Sequence, residues 1–196
     1  MLREKLQHKN IILASGSPRR QQFFHEMAID FSIQIKEIEE IYPKTLQASE
    51  ITEFLAELKA SAFDLLEEND LLITSDTIVW HENKALGKPK DAQEAFEMLQ
   101  SLSGKTHEVV TSVCFKTKNT LETITEITKV TFNLLSDEAI RYYIATYKPF
   151  DKAGAYGIQE WIGLVGISKI EGSYTNVVGL PVEKVFKKLK YYAEIN

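Results

Sequence analysis

Ser15-Gly16-Ser17-Pro18-Arg19-Arg20 puts two hydroxyls, a glycine and two guanidiniums into six residues, directly after an apolar run and directly before a helical pattern. A strand end that feeds a small-residue loop and then a helix N-terminus can turn backbone amides and hydroxyls toward an anion. Two arginines on the next turn add fork-shaped donors suited to phosphate. The same residues also read as an ordinary strand-to-helix turn with two solvated arginines, and chemistry alone leaves both open. It is not a Walker loop, which needs a longer glycine pattern before Lys and Ser or Thr.

The second feature is a carboxylate where aliphatics belong. Asp76 follows Leu71, Leu72 and Ile73 and precedes Ile78 and Val79, so residues 71–80 read as a buried strand interrupted by Ser75-Asp76-Thr77. Burying a charge is costly unless it is paired or holds a metal, and perturbed carboxylates cluster at functional sites. The alternative is an Asp at a strand end bonding to turn amides. Glu39, Glu40, Lys59 and Lys88 lie near the ends of elements, where each alone is compatible with solvated surface. Lys59 stands apart because it follows Leu58 and precedes Ala62 by three, close to an apolar stripe. Together these groups supply what triphosphate chemistry demands: oxygen ligands for a hard cation, and lysines to neutralise phosphate charge. His8, His25, His81 and His107 contain no pair at metal-ligand spacing, and no GxSxG elbow is present.

The elements that must position these groups follow from periodicity. Residues 10–14 form a short apolar strand, and residues 18–27 a helix with Phe23, Phe24 and Met27 at helical spacing. Residues 31–38 alternate as a half-buried strand. A capped helix should run from Ser49 to about Glu68, its buried stripe made of Phe54, Leu55, Leu58, Ala62, Leu65 and Leu66. Residues 91–102 are a helix closed by Ser103-Gly104. Residues 107–118 and 123–134 are two strands of a hairpin, and residues 136–147 a helix stopped by Pro149. Residues 151–159 are too glycine-rich for a regular element. Residues 162–170 read as a strand, 172–181 as a loop and 182–192 as a final helix. Tyr142, Tyr143 and Tyr147 are core or interface. The order is α/β with a central mixed sheet, because a hairpin is antiparallel while helical crossovers favour parallel pairing.

At 196 residues and 44% hydrophobic content the chain fits one globular domain, residues 1–196, burying roughly 70% of its unfolded surface without staples. The single Cys114 rules out an internal disulfide and suits a reducing compartment. The apolar run after Arg3 and Lys5 is far shorter than a signal segment, and nothing approaches a membrane span, so a soluble cytoplasmic protein without membrane partners is expected. A net charge of −5 argues against broad binding to nucleic acid. It leaves open one small phosphate ligand, for which a few converging basic side chains suffice.

Six motifs in order carry a family resemblance across nearly the whole chain: ILASGSPRR at 12–20, LKA at 58–60, SDT at 75–77, LGKP at 86–89, DKAGAYGIQ at 151–159 and IEGSYTNVVGLP at 170–181. The sequence resembles the Maf (septum formation) nucleoside triphosphate pyrophosphatases. That resemblance implies an elongated, two-lobed α/β fold of the Maf and ITPase-like kind, with a ligand cleft between the lobes. It implies cleavage of a nucleoside triphosphate to the monophosphate and pyrophosphate, with a divalent cation (Mg²⁺, with Mn²⁺ or Co²⁺ as alternatives) and a homodimer. Asp76 then corresponds to the proton acceptor that activates water and, with Glu40, to a metal ligand. Ser15, Ser17, Arg20, Lys59 and Lys88 match phosphate-contacting positions. Arg19, Thr77 and Gln159 match the specificity positions of the type similar to dTTP and UTP pyrophosphatases. Gln159 suits that role chemically, since an amide pairs with a uracil or thymine edge through both donor and acceptor. Modified pyrimidine nucleotides are an alternative substrate class, and a division-related nucleotide-binding protein with little hydrolysis is the alternative function. Two departures stand out: Glu160-Trp161 where the family usually has Gly after Gln159, placing a charge and a bulky ring beside the presumed base pocket, and Ser75 in place of a common Ala.

Overall fold

The computed structural model describes residues 1–195. In chain order the elements are α1 (Leu2–Lys5), β1 (Asn10–Leu13), α2 (Pro18–Glu26), β2 (Ser32–Ile33), α3 (Ser49–Ser61), β3 (Asp70–His81), β4 (Lys84–Leu86) and α4 (Ala92–Leu102). There follow β5 (Thr106–Lys116), β6 (Leu121–Phe132), α5 (Asp137–Tyr147), α6 (Trp161–Gly166), β7 (Ile167–Glu171), α7 (Tyr174–Val178) and α8 (Val182–Tyr192). Among the described residues the sheet has seven strands in the order β2-β1-β3-β5-β6-β7, with β4 paired to β3. β1 runs parallel to β2 and β3, whereas β4 is antiparallel to β3 and β7 to β6. The expected α/β class with a mixed sheet is what forms. No helix among the described residues is long and apolar enough to cross a membrane.

The chain forms two compact units. The first holds Met1–Asp76, Thr111–Glu126 and the chain from Gly179 on; the second holds Thr77–Val110 and Ile127–Val178. In the first unit the sheet is covered on both faces. Leu13, Leu71, Ile73, Val113 and Phe115 pack with Phe24 of α2 and with Val185, Leu189 and Tyr192 of α8. Their strand neighbours Ile12, Leu72 and Cys114 point the other way, against Ala56 and Ala60 of α3 and against Phe63. This two-residue alternation within continuous apolar runs is how a strand buried on both faces partitions its side chains. Cys114 is core, as expected, and burial pushes its thiol up to about 11.

Four expectations in this unit need correction. The strand expected over 31–38 shrinks to Ser32–Ile33, because its partner β1 ends at Leu13 where the chain turns into α2; the last bond is Gln34 N to Leu13 O at 3.3 Å. The helix expected to run from Ser49 to about Glu68 ends at Ser61. Lysine ammoniums satisfy carbonyls at its end, Lys116 Nζ reaching Ala60 O at 3.1 Å and Phe63 O at 2.8 Å, and Lys36 Nζ reaching Ala62 O at 2.7 Å. Phe63 turns into the core while Leu65, expected in the buried stripe, is 94% exposed, and Phe54 is exposed too. The cap is also absent: Ala48, not a Ser, holds the N-cap and its side chain bonds nothing.

In the second unit α4 starts as expected, with Asp91 Oδ1 accepting from Glu94 N at 2.9 Å, and α5 starts with Ser136 Oγ accepting from Ala139 N at 3.2 Å. Residues 162–170, expected as one strand, instead divide into α6 and β7. The reason is local crowding: a Cβ on Gly163 would lie 1.9 Å from the carbonyl oxygen of Ile158, so only glycine permits this approach. Leu164 is 79% exposed, out of register with a strand's alternation. Residues 172–181, expected as a loop, contain α7, where buried Asn176 donates to Val109 O at 3.0 Å and Thr128 Oγ1 at 2.9 Å. β4, which the sequence pattern does not announce, pairs with β3 through a two-residue turn at Glu82-Asn83, both at positive φ (49° and 59°), as a type I′ hairpin requires.

Candidate active site

β1 delivers its last buried residue, Leu13, to a short loop, and Pro18 opens α2 at the first helical position. Proline there loses no helical bond. Ser17 is the N-cap, yet its side chain makes no capping bond, so its hydroxyl is not spent on the helix. Ser15 is buried and organises the loop: its Oγ accepts from Ser17 N at 3.3 Å and its carbonyl from Gln21 Nε2 at 3.0 Å. Two hydroxyls thus precede the first turn of a nine-residue helix whose N-cap side chain makes no capping bond, the kind of helix N-terminus at which an anion can be held.

β3 carries Asp76 on the same face as Thr74, whose hydroxyl donates to Ala56 O of α3 at 2.6 Å. That face meets α3 closely because Ala56 and Ala60 are small and fully buried. Lys59, between them in sequence, reaches Asp76 Oδ1 at 2.6 Å and Glu40 Oε1 at 3.0 Å. Asp76 is 7% exposed as a residue, and the Lys59 side chain is 18% exposed. One ammonium therefore bridges two carboxylates, which resolves the cost of an ionised Asp in an apolar strand. Removing one partner of such a pair costs about 3–5 kcal/mol, because it strands the other charge.

Arg20 ties the loop to the strand. Its Nε donates to Gly179 O at 2.9 Å, and its Nη1 to Ser75 O at 3.1 Å and Ser15 Oγ at 3.4 Å. Ser75 O, next to Asp76, also lies 3.5 Å from Lys59 Nζ. Burial lowers the Arg20 guanidinium from its ordinary value, and the charges of Asp76 and Glu40 pull it back up. Ser15, Ser17, Arg20, Glu40, Lys59 and Asp76 thus come together within the first unit, with Arg19 half-buried one residue before Arg20. Sequence patterning did not single out the Arg20 bracing bonds, because main-chain acceptors leave no signature in residue types.

The remaining candidates stand in the second unit. Thr77 is half-buried on β3, while Lys88 and Gln159 are exposed. The loops bearing Lys88 and Gln159 are joined by Gly154 N donating to Gly87 O at 3.0 Å. Gly154 sits at φ 67°, and a Cβ there would meet Val79 at 2.8 Å. Glu160 and Trp161 are half-buried and held by protein contacts: Glu160 accepts from Tyr143 Oη and pairs with Lys152, and Trp161 packs edge-on against Tyr142 with ring centroids 5.0 Å apart.

Among the described residues no group of three or more His, Cys, Asp and Glu side chains is arranged to hold a metal ion. What converges is a pair of hard oxygen donors, from Glu40 and Asp76, on one cationic nitrogen. Mg²⁺ at phosphate sites is held by one or two carboxylates, with substrate phosphates and water completing its shell. The pair fits a cation shared with substrate, not a cage built by protein alone.

The family model described as "Maf-like protein" matches residues 10–192. A dTTP/UTP pyrophosphatase of Flavobacterium psychrophilum is 68% identical over 187 residues, covering 95% of this chain and 96% of that protein. A dTTP/UTP pyrophosphatase of Flavobacterium johnsoniae is 64% identical over 96% of this chain and 98% of its own length. One of Christiangramia forsetii is 56% identical over 97% of each.

Proposed function

Since this chain belongs to the family of Maf-like proteins, we propose that it is a nucleoside triphosphate pyrophosphatase acting on dTTP and UTP, with water attacking the α-phosphorus. The observation that carries the mechanism is the convergence of Glu40 and Asp76 on Lys59 Nζ, braced through Ser75 to the Ser15 loop. The substrate pair rests on the relatives of 56 to 68% identity that bear that activity in their names.

In this account the hydroxyls of Ser15 and Ser17 and the first amides of α2 bind phosphate oxygens, and Lys88 adds positive charge. Asp76 takes a proton from the attacking water as its oxygen bonds to the α-phosphorus. The bond from the α-phosphorus to the bridging oxygen breaks, leaving nucleoside monophosphate and pyrophosphate. Lys59 keeps Asp76 and Glu40 aligned. Arg20 holds the loop and the Ser75 carbonyl in register. Glu40 and Asp76 are the residues that would hold a divalent cation, which when bound would neutralise charge on the triphosphate and its leaving group. Arg19, Thr77 and Gln159 select the nucleotide. No covalent enzyme intermediate is required.

The test is purified protein with Mg²⁺ against canonical and modified triphosphates, with pyrophosphate and orthophosphate measured separately. dTTP and UTP should be preferred and pyrophosphate released first. In Asp76→Asn, turnover should fall by about 10³-fold or more while nucleotide binding stays measurable. A preference for purines, or near-normal turnover in Asp76→Asn, removes the corresponding part of the account.

A further inference from the structure

Glu160, the residue after Gln159, closes a ring of contacts on the loop that carries that glutamine. Its carboxylate accepts a hydrogen bond from the Tyr143 hydroxyl on Oε2 and pairs with Lys152 Nζ at 3.1 Å on Oε1. The Tyr143 oxygen in turn accepts from Gly157 N at 2.9 Å. Tyr143 is fully buried on α5 and stacks on Tyr147 with centroids 5.2 Å apart, so it is a fixed anchor. Burial and the carboxylate at its hydroxyl push the Tyr143 phenol up, keeping it a donor.

The loop is shaped for this ring. A Cβ on Gly157 would lie 2.8 Å from Glu160 Cδ and 3.0 Å from Lys152 Cε, so a side chain there would displace the very groups that form the ring. Ile158 is buried to one side, Glu160 N donates to Gly157 O at 3.0 Å, and Glu160 O accepts from Gly163 N at 2.9 Å. Gln159 lies between these fixed points and is exposed.

We propose that Glu160, clamped by Tyr143 and Lys152, is a positioning residue that fixes the presentation of Gln159 and thereby the enzyme's choice of base. This rests on Gln159 as a base-contacting residue. A positioned amide loses discrimination when its backbone is released, with little change in the chemical step.

The experiment compares kcat and KM for UTP and CTP in wild type, Glu160→Gln, Tyr143→Phe, Gln159→Ala and Glu160→Gln/Gln159→Ala, with thermal melts to show that each folds. Glu160→Gln should raise KM for UTP about tenfold, leave kcat within about twofold, and lower the preference for UTP over CTP by a similar factor. Tyr143→Phe, which keeps the buried ring, should shift the same quantities in the same direction. In the Gln159→Ala background, Glu160→Gln should add less than about twofold. If Gln159→Ala collapses the preference while Glu160→Gln and Tyr143→Phe leave it intact, the clamp proposal is overturned and the role of Gln159 stands. A full Glu160→Gln effect in the Gln159→Ala background also overturns it. If Gln159→Ala leaves the preference unchanged, the Gln159 role itself fails and the proposal goes with it.

Discussion

Lys59 does with one ammonium what the site needs before any ligand arrives, since it holds Asp76 at 2.6 Å and Glu40 at 3.0 Å and so keeps two carboxylates facing the same point. Lys59→Met should therefore hurt twice. Asp76 would be left buried without its partner, costing about 3 kcal/mol in urea unfolding, and kcat/KM should fall by about 10³-fold. A variant that loses activity at full stability would show Lys59 to be a substrate contact with no bridging role. A different residue contributes to the pH dependence of stability. The His107 ring is buried with Nδ1 unpartnered and Nε2 on Tyr156 Oη at 2.8 Å, and burial, with a smaller push from His81, lowers it to about 3. Its imidazole is neutral when folded but takes a proton near pH 6.5 when unfolded. The stability it contributes is therefore complete above about pH 6.5 and is lost as pH falls toward 3. Melting temperature measured from pH 7 to 4 should fall less steeply in His107→Gln than in wild type, and parallel curves would contradict this.

At the scale of elements, the parts legible in the sequence are those whose reasons are local. β1, α2, α4, α5 and α8 follow apolar periodicity, and Asp91 and Ser136 cap as their types predict. Asp76 was conspicuous because a strand of aliphatics has no local use for it. What failed to show was set by partners distant in sequence. The strand over 31–38 lost its ladder because β1 stops at Leu13; α3 stopped early with Lys116 and Lys36 at its final carbonyls; and α6 formed because Gly163 backs onto Ile158. The clamp on Glu160 was invisible for the same reason, since Tyr143 lies on another element and its spacing signalled only core or interface. Gly163→Ala tests this directly. It should cost about 3 kcal/mol or more by overpacking, seen as a melting temperature lower by about 6–12 °C. An unchanged melt would mean that the α6 turn relaxes freely and that glycine is not what sets it.

At the scale of the whole molecule, the acidic excess of 28 carboxylates over 23 basic side chains fits a protein that binds one compact anion at a few converged groups and does not track a polyanion. The six ordered motifs made the family legible before any coordinates, and the match over residues 10–192 bears that out. The central claim is that water attacks the α-phosphorus with Asp76 as the proton acceptor. The most direct measurement is turnover of UTP in ¹⁸O-enriched water, with mass analysis of both products. The account predicts one ¹⁸O in UMP and none in pyrophosphate, with the labelled product lost in Asp76→Asn; label in pyrophosphate, or orthophosphate as the first product, would contradict it.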